Sequence, residues 1–265
     1  MKTIRSKDNT AYRETLRLLR KKYRDQTDMF LIEVPRPVLD AVRSGNGIGT
    51  VFLRQSAADS PQSQEAEALC EAEGVRLAVL TDELFDRLSD TEHSQGILAS
   101  ACKKAPGELT GSVLILDRLQ DPGNIGTIIR TAEAAGFGAL IAITGTGDVY
   151  SPKTARAAAG SLLRVDVFEG METSDAIRFC REHGLRIIAS DLQGSVEYTE
   201  VDLTGGIALV IGNEGSGISC EFRSAADVKV RIPMEGNIES LNAAVAAGVL
   251  MYEAVRQQRV AGKVK

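Results

Sequence analysis

The sequence predicts an α/β protein of two domains. The N-terminal one is smaller. The C-terminal one is built on a mostly parallel sheet with helices on both faces. Three observations predict this. Short apolar runs alternate with helical stretches along nearly the whole chain, the pattern of parallel strands joined by crossover helices. The alternation breaks once, at Lys103-Lys104-Ala105-Pro106-Gly107, where Pro and Gly interrupt any regular element. The length, 265 residues, suits two ordinary domains. The expected division is 1–104, a linker at 105–109, and 110–265.

Taken in order, Asn9 to Arg24 reads as one helix. Tyr12, Leu16, Leu19 and Tyr23 share a face, and Arg13, Arg17, Arg20, Lys21 and Arg24 lie on another. Strands are expected at Met29–Ile32, Thr50–Leu53, Val75–Leu80 and Gly96–Ser100, with helices such as Pro35–Arg43 and Gln62–Glu73 between them. After the linker, Val113–Leu116, Ala139–Ile143, Leu163–Phe168, Arg186–Ala189, Ile207–Ile211 and Val228–Ile232 are strand-like, and Leu241–Gln257 is a long closing helix. Ligands of such sheets bind beyond the carboxyl ends of the strands, so the loops there are where chemistry is expected.

Composition narrows the function. The chain is 43% hydrophobic and 25% charged, an ordinary globular balance. No apolar run approaches the ~20 residues of a membrane helix, and no apolar stretch follows Lys2, Arg5 and Lys7 as a secretory signal requires. Cys70, Cys102, Cys180 and Cys220 stand singly and there are two histidines, which points to free thiols in a reducing cytoplasm and to no metal site. Residues 1–24 hold nine basic and two acidic residues, a net +7 within an overall −5, which leaves −12 for the remainder. A basic head on an acidic body is a localised footprint for nucleic acid. The one-signed helix face Arg13, Arg17, Arg20, Lys21 and Arg24 is its candidate RNA contact; a plain solvated face is the alternative.

Three blocks follow strands of the second domain. Asp117 to Ala132 contains Asp121-Pro122-Gly123-Asn124-Ile125-Gly126 and, six residues past Asn124, Arg130. Pro122-Gly123 reads as a turn, and Asn124 as the cap of the helix that ends near Gly136. Ile211-Gly212-Asn213-Glu214-Gly215-Ser216-Gly217 places three glycines after a buried strand, where backbone can approach a ligand closely. No Gly-Lys-Ser/Thr follows, so it is not a phosphate-binding loop of the nucleotide triphosphatase kind. Glu214 stands where a carboxylate can fix an arginine or accept from a substrate. Ile232-Pro233-Met234 followed by Ser240-Leu241-Asn242 precedes the closing helix, which either Ser240 or Asn242 can cap.

In this order and spacing the blocks resemble the three signature motifs of the SpoU RNA 2'-O-ribose methyltransferases, of the SPOUT superfamily. The likeness covers roughly 110–260. More weakly, Phe30-Leu31-Ile32-Glu33 and His93-Ser94-Gln95-Gly96-Ile97 resemble the substrate-binding domain that such enzymes often carry. Val34 departs from it, since that position usually holds Gly, and this puts the local loop geometry in question.

The resemblance implies a deep trefoil knot in the second domain, which pattern alone would never suggest. It implies S-adenosylmethionine as methyl donor, with no metal. The donor contacts are expected at Gly212, Ile232 and Leu241, with Thr144, Gly145, Ile211 and Met234 beside them. Arg130 is implied as the catalytic centre, with Asn124, Glu214, Ser240 and Asn242 orienting it and the ribose. It also implies a cytoplasmic homodimer acting on ribosomal RNA of the large subunit, with tRNA as alternative. Two other classes remain open: a non-catalytic RNA-binding module, and a nicotinamide-dependent oxidoreductase hinted at by Gly145-Thr146-Gly147. For the latter the full G-x-G-x-x-G fails at Tyr150.

Overall fold

A computed structural model describes residues 3–45, 47–91, 94–193 and 195–262; Lys2 and His93 lie outside the described residues. Contacts divide the chain into two compact units, Met1–Lys104 with Tyr150–Leu163, and Ala105–Val149 with Arg164–Lys265. The return of Tyr150–Leu163 to the first unit was not contained in the expectation of two consecutive domains.

The first unit runs β1 (Thr3–Ile4), α1 (Thr10–Arg17), α2 (Lys21–Thr27), β2 (Met29–Glu33), α3 (Pro35–Ser44), β3 (Ile48–Arg54), α4 (Pro61–Ala72), β4 (Arg76–Leu80), α5 (Asp82–Asp86) and β5 (Ile97–Cys102). The sheet order is β1-β4-β3-β5-β2. β5 is antiparallel to both β3 and β2, and the other pairs are parallel. Tyr12, Phe52, Leu80, Phe85 and Leu98 fill one core cluster beneath it.

The expected single helix over Asn9–Arg24 is two. α1 stops at Arg17, and Arg20 is extended at φ −103°, ψ 129° before α2 begins. One continuous helix would have set Arg17 against Lys21 and Arg20 against Arg24 at i,i+4, where like charges repel. The break also turns Leu18 inward and exposes its carbonyl to Arg24, whose Nη1 donates to it at 2.6 Å. Val34 sits at φ +90° between β2 and α3. A β-branched residue in that region costs about 1–3 kcal/mol, which explains why Gly suits the position.

The second unit contains β6 (Val113–Asp117), α6 (Pro122–Ala134) and β7 (Ala139–Ile143). Next comes α7 (Pro152–Ala157), in the segment that groups with the first unit. There Tyr150 packs edge-on against Phe30 at 5.0 Å, and Arg156 pairs with Asp90 at 3.0 Å. The second unit resumes with β8 (Asp166–Met171), α8 (Thr173–Glu182), β9 (Arg186–Ser190), β10 (Val196–Glu197), β11 (Ile207–Gly212), α9 (Cys220–Ala225), β12 (Val228–Arg231) and α10 (Ala243–Val260). Leu163, expected in a strand, lies in a 3-10 turn.

The seven strands are ordered β10-β12-β9-β11-β6-β7-β8 and every pair is parallel. Ile115, Ile141, Ala189 and Val210 on one face and Leu114, Leu140, Ile188 and Leu209 on the other are all buried, as a sheet covered on both faces requires. From β6 the chain steps outward to β7 and β8. It later returns to lay β11 on the other side of β6, with Asp117 paired to Gly212. The reversal of direction beside β6 is the switch point where open parallel sheets bind ligands.

Candidate functional site

The carboxyl ends of β6 and β11 bring two sequence blocks together, and the start of α10 adds the third. At β6, Asp121 and not Asn124 caps α6. Its carboxylate accepts from the Asn124 N–H at 2.8 Å, and Pro122 takes the first helical position. Asn124 is thereby moved into the first turn, and its side-chain amide is released from capping. At α10 the cap is Asn242, whose Oδ1 accepts from the N–H groups of Ala244 (2.9 Å) and Val245 (3.3 Å).

Asn242 Nδ2 donates to Asn124 Oδ1 at 2.9 Å, and Asn124 Nδ2 donates to Glu214 Oε1 at 3.2 Å. The polarity of this relay is set at both ends. The helix N-terminus takes the Asn242 oxygen, so its NH2 must face Asn124. The carboxylate, an acceptor only, takes the Asn124 NH2. Glu214 also accepts from the backbone N–H groups of Gln120 and Asp121, each at 3.3 Å. Burial alone would push the Glu214 pKa up. Its own backbone N–H, the Asn124 amide and the two loop amides outweigh that and hold it below the ordinary carboxylate value.

The expected Glu214–arginine pairing does not form; the carboxylate is turned to N–H donors of the first block instead. Arg130 lies on α6, exposed, with no hydrogen bond or ion pair to any described residue. Six residues past Asn124 it stands about 120° round the helix, on a different face. Ser240 is exposed and likewise unbonded among the described residues. Asn124, Glu214 and Asn242 are therefore joined directly, whereas Arg130 and Ser240 are not part of the relay.

The loop after β11 is held by its own residues. Asn213 Oδ1 accepts from the Gly215 and Ser216 N–H groups at 3.0 and 3.1 Å, an Asx turn. The turn folds back so closely that a Cβ on Gly212 would stand 2.3 Å from the Gly217 carbonyl carbon. Asn213 Nδ2 donates to the Arg118 carbonyl at 2.9 Å, tying the loop to the end of β6. Arg118 has φ +61°, a left-handed conformation that costs a non-glycine residue about 1–2 kcal/mol. Sequence reading missed Arg118, Gln120 and Asn213. Of these, only Asn213 carried a signal, the Asn-x-Gly pattern of a side-chain-closed turn.

Ile211 is buried in β11 next to Gly212 at the strand's end, Ile232 and Met234 follow the end of β12 half-buried, and the half-buried Leu241 directly precedes the Asn242 cap of α10. Main-chain donors and acceptors among apolar side chains suit the edge and faces of a neutral purine, so this set fits S-adenosylmethionine. At the end of β7, Thr144 Oγ1 donates to the Gly170 carbonyl at 3.1 Å, and the Gly145 carbonyl accepts from Gln120 Nε2 at 2.6 Å. The Gly145-Thr146-Gly147 turn knits strands together, since Thr146 Oγ1 donates to the Leu116 carbonyl at 2.9 Å. It opens no helix, so it lacks the helix N-terminus on which dinucleotide loops depend.

In the first unit, Arg13, Arg17, Arg20 and Lys21 are exposed. Arg17 lies over the Tyr23 ring at 5.6 Å, and Lys21 pairs with Asp25 at 3.3 Å. Arg24 is a correction. Expected on the cationic face, it is 2% exposed and bound to the Leu18 carbonyl, because the break between α1 and α2 turns it inward.

Residues 111–252 match the SpoU rRNA Methylase family, and residues 9–99 match the MRM3-like substrate binding domain. The chain is 34% identical to the 23S rRNA (guanosine(2553)-2'-O)-methyltransferase RlmP of Bacillus subtilis, over 95% of this chain and 98% of that one. It is 41% identical to a 23S rRNA (uridine(2479)-2'-O)-methyltransferase of Streptomyces viridochromogenes, over 57% of this chain and 54% of that one. The crystal structure of an AdoMet-bound rRNA methyltransferase from Sinorhizobium meliloti superposes with a TM-score of 0.83 at 31% identity. It covers 96% of this chain and 97% of that chain.

Proposed function

The chain belongs to the SpoU rRNA methylase family, and from that premise we propose that it transfers a methyl group from S-adenosylmethionine to a ribose 2'-hydroxyl of 23S ribosomal RNA. The observation that carries this reading is the Asn242–Asn124–Glu214 relay, which joins all three signature blocks beside the switch point. The two relatives described above are named for 23S rRNA and for different nucleotides, so the target nucleotide is not transferred to this chain.

Gly212, Ile232 and Leu241 hold the donor, with Ile211 and Met234 as its apolar surround. When bound, S-adenosylmethionine would supply an electrophilic methyl carbon on a sulfonium, whose sulfur keeps the electron pair of the broken S–CH3 bond and leaves as a neutral thioether. The chain's own task is to align the ribose oxygen with that carbon and to stabilise the charge that develops on the oxygen. Arg130 supplies the cation. Its guanidinium stays protonated, so it does not act as a general base; the proton leaves to water or to a neighbouring phosphate. Asn124 and Asn242, held by the relay, and the Ser240 hydroxyl position the ribose.

The first unit binds the RNA, with Arg13, Arg17, Arg20 and Lys21 as phosphate contacts. Further parts of the proposal are a trefoil knot around the β11 loop, a cytoplasmic location and a homodimer. Val245 and Tyr252, 53% and 50% exposed on α10, support the dimer as an apolar stripe left uncovered in one chain.

The test is methyl transfer from labelled S-adenosylmethionine to a 23S rRNA transcript. The expected product is one ribose whose adjacent phosphodiester resists alkaline cleavage, because its 2'-hydroxyl is blocked. Label on a base, or none on RNA, would refute the reading.

A further inference from the structure

We propose that Arg118 is a preorganised phosphate-binding residue that grips the RNA backbone at the carboxyl edge of β6. The proposal rests on RNA being the substrate. It starts from the cost of the position. Arg118 occupies the left-handed region at φ +61°, which glycine or asparagine takes with less strain. An arginine kept in such a place points to a use for its side chain.

The side chain is held for that use. Its backbone is fixed on both sides: the N–H donates to Thr146 Oγ1 at 3.2 Å, and the carbonyl accepts from Asn213 Nδ2 and Gln120 Nε2, each at 2.9 Å. Its stem lies over Gly145, where a Cβ would meet Arg118 Cγ at 3.3 Å. Its Nε donates at 3.1 Å to Asp117, which is fully buried. Asp117 in turn is fixed by the Ser219 N–H at 2.5 Å.

Nη1 and Nη2 have no partner among the described residues, and the side chain is 48% exposed. The guanidinium is thus anchored through one nitrogen and offers the other two as a fork. A fork of that kind matches two oxygens of one phosphate. Two anions are conceivable at this edge, an RNA phosphate and the methionine carboxylate of the donor. The geometry favours the phosphate. Arg118 leans over the β7 side of β6, whereas Gly212, Ile232 and Met234 follow β11 and β12, on the other side of β6 in the sheet order.

The bland alternative is that Arg118 only balances the charge of Asp117. Measurement separates the two. Arg118→Gly relieves the backbone and removes the fork. Arg118→Lys keeps a charge beside Asp117 but loses the Nε anchor and the fork. Both are compared with wild type for affinity to a 23S rRNA transcript across a salt series, for donor affinity by calorimetry without RNA, and for melting temperature.

Arg118→Gly should raise the RNA Kd about 10- to 100-fold, the range of one hydrogen bond to a charged group. It should also flatten the slope of log K against log salt by about 0.7–0.9. Donor affinity and kcat at saturating RNA should hold. Arg118→Lys should keep the slope and recover only part of the affinity. Unchanged RNA affinity and slope in both variants, with only the melting temperature moved, would make Arg118 a partner of Asp117 alone. A fall in donor affinity with RNA binding intact would assign the fork to the methionine carboxylate. Either result overturns the proposal. Because these readouts are of binding, wild-type enzyme that binds RNA without methylating it would count against the proposed reaction and not against this site.

Discussion

The strand-end cluster of the second unit and the α1–α2 segment of the first both carry polar side chains, but these are held in opposite ways. In the cluster each group fixes the next: the α10 end orients Asn242, Asn242 orients Asn124, and Asn124 with two loop amides holds Glu214. In the α1–α2 segment Arg13, Arg17 and Arg20 stand exposed, with no carboxylate paired to them among the described residues. The difference teaches what each region is suited to. A wired cluster holds atoms to the tolerance that bond-making needs. Separate, solvated cations attract a backbone without dictating its sequence.

The largest effect that would sharpen this contrast is expected at Arg130. If its cation stabilises the 2'-oxygen, Arg130→Ala lowers the single-turnover rate by at least ~10²–10³-fold, the scale of one lost charge-stabilising donor. Donor affinity stays intact, and Arg130→Lys recovers part of the rate. Near-normal turnover would remove Arg130 from the chemistry.

Next comes the coupling itself. A double-mutant cycle on Asn124→Ala and Glu214→Ala, read from urea unfolding, should give an interaction energy of about 0.5–3 kcal/mol. Arg13→Ala with Arg20→Ala should add to within about 0.5 kcal/mol. If both pairs are additive, the cluster is no more wired than the α1–α2 segment.

Arg24 tests the same contrast inside the α1–α2 segment. Being buried, Arg24→Ala should cost about 1.5–3 kcal/mol of stability while leaving the salt dependence of RNA binding unchanged. Arg17→Ala should flatten that dependence by up to ~0.7–0.9 with little loss of stability. An exchange of these two outcomes would mean that Arg24 faces RNA.

A smaller effect follows from Glu214. Its pKa is held below the ordinary value of 4.5. The carboxylate therefore contributes stability that is fully present above that value and lost as pH falls through the lowered one. Glu214→Gln should flatten acid unfolding below about pH 4.5. A variant with the wild-type acid profile would show the relay to be energetically silent. The smallest change expected is at Val34, where Gly should add roughly 1 kcal/mol by relieving φ +90°. A lower melting temperature would mean that the valine's packing outweighs the strain.

Asn124, Glu214 and Asn242 were legible by type and spacing, but their partners were not. Asn124 reads as a cap until Asp121 and Pro122 are seen to begin α6 one residue apart, which frees the asparagine for Glu214. Glu214 reads as an arginine's partner, because unlike charges are the first pairing that composition suggests; the backbone amides that it meets carry no sequence mark. Arg24 belongs to the basic stripe by periodicity, and only the break after Arg17 sends it inside.

By itself the sequence determined the α/β class, most strands of both sheets, the three blocks and the identities of their polar residues. Each of these is written in neighbouring residues, through apolar periodicity and turn chemistry. Tertiary structure alone decided that β11 lies between β6 and β9, that two-residue β10 joins the edge, and that residues 150–163 return to the first unit. It also decided that side chains 90 and 118 residues apart share one relay. The physical reason is that strand order and long-range hydrogen bonds are set by which faces can be buried together. That depends on the packing of the whole sheet and leaves no periodic trace along the chain.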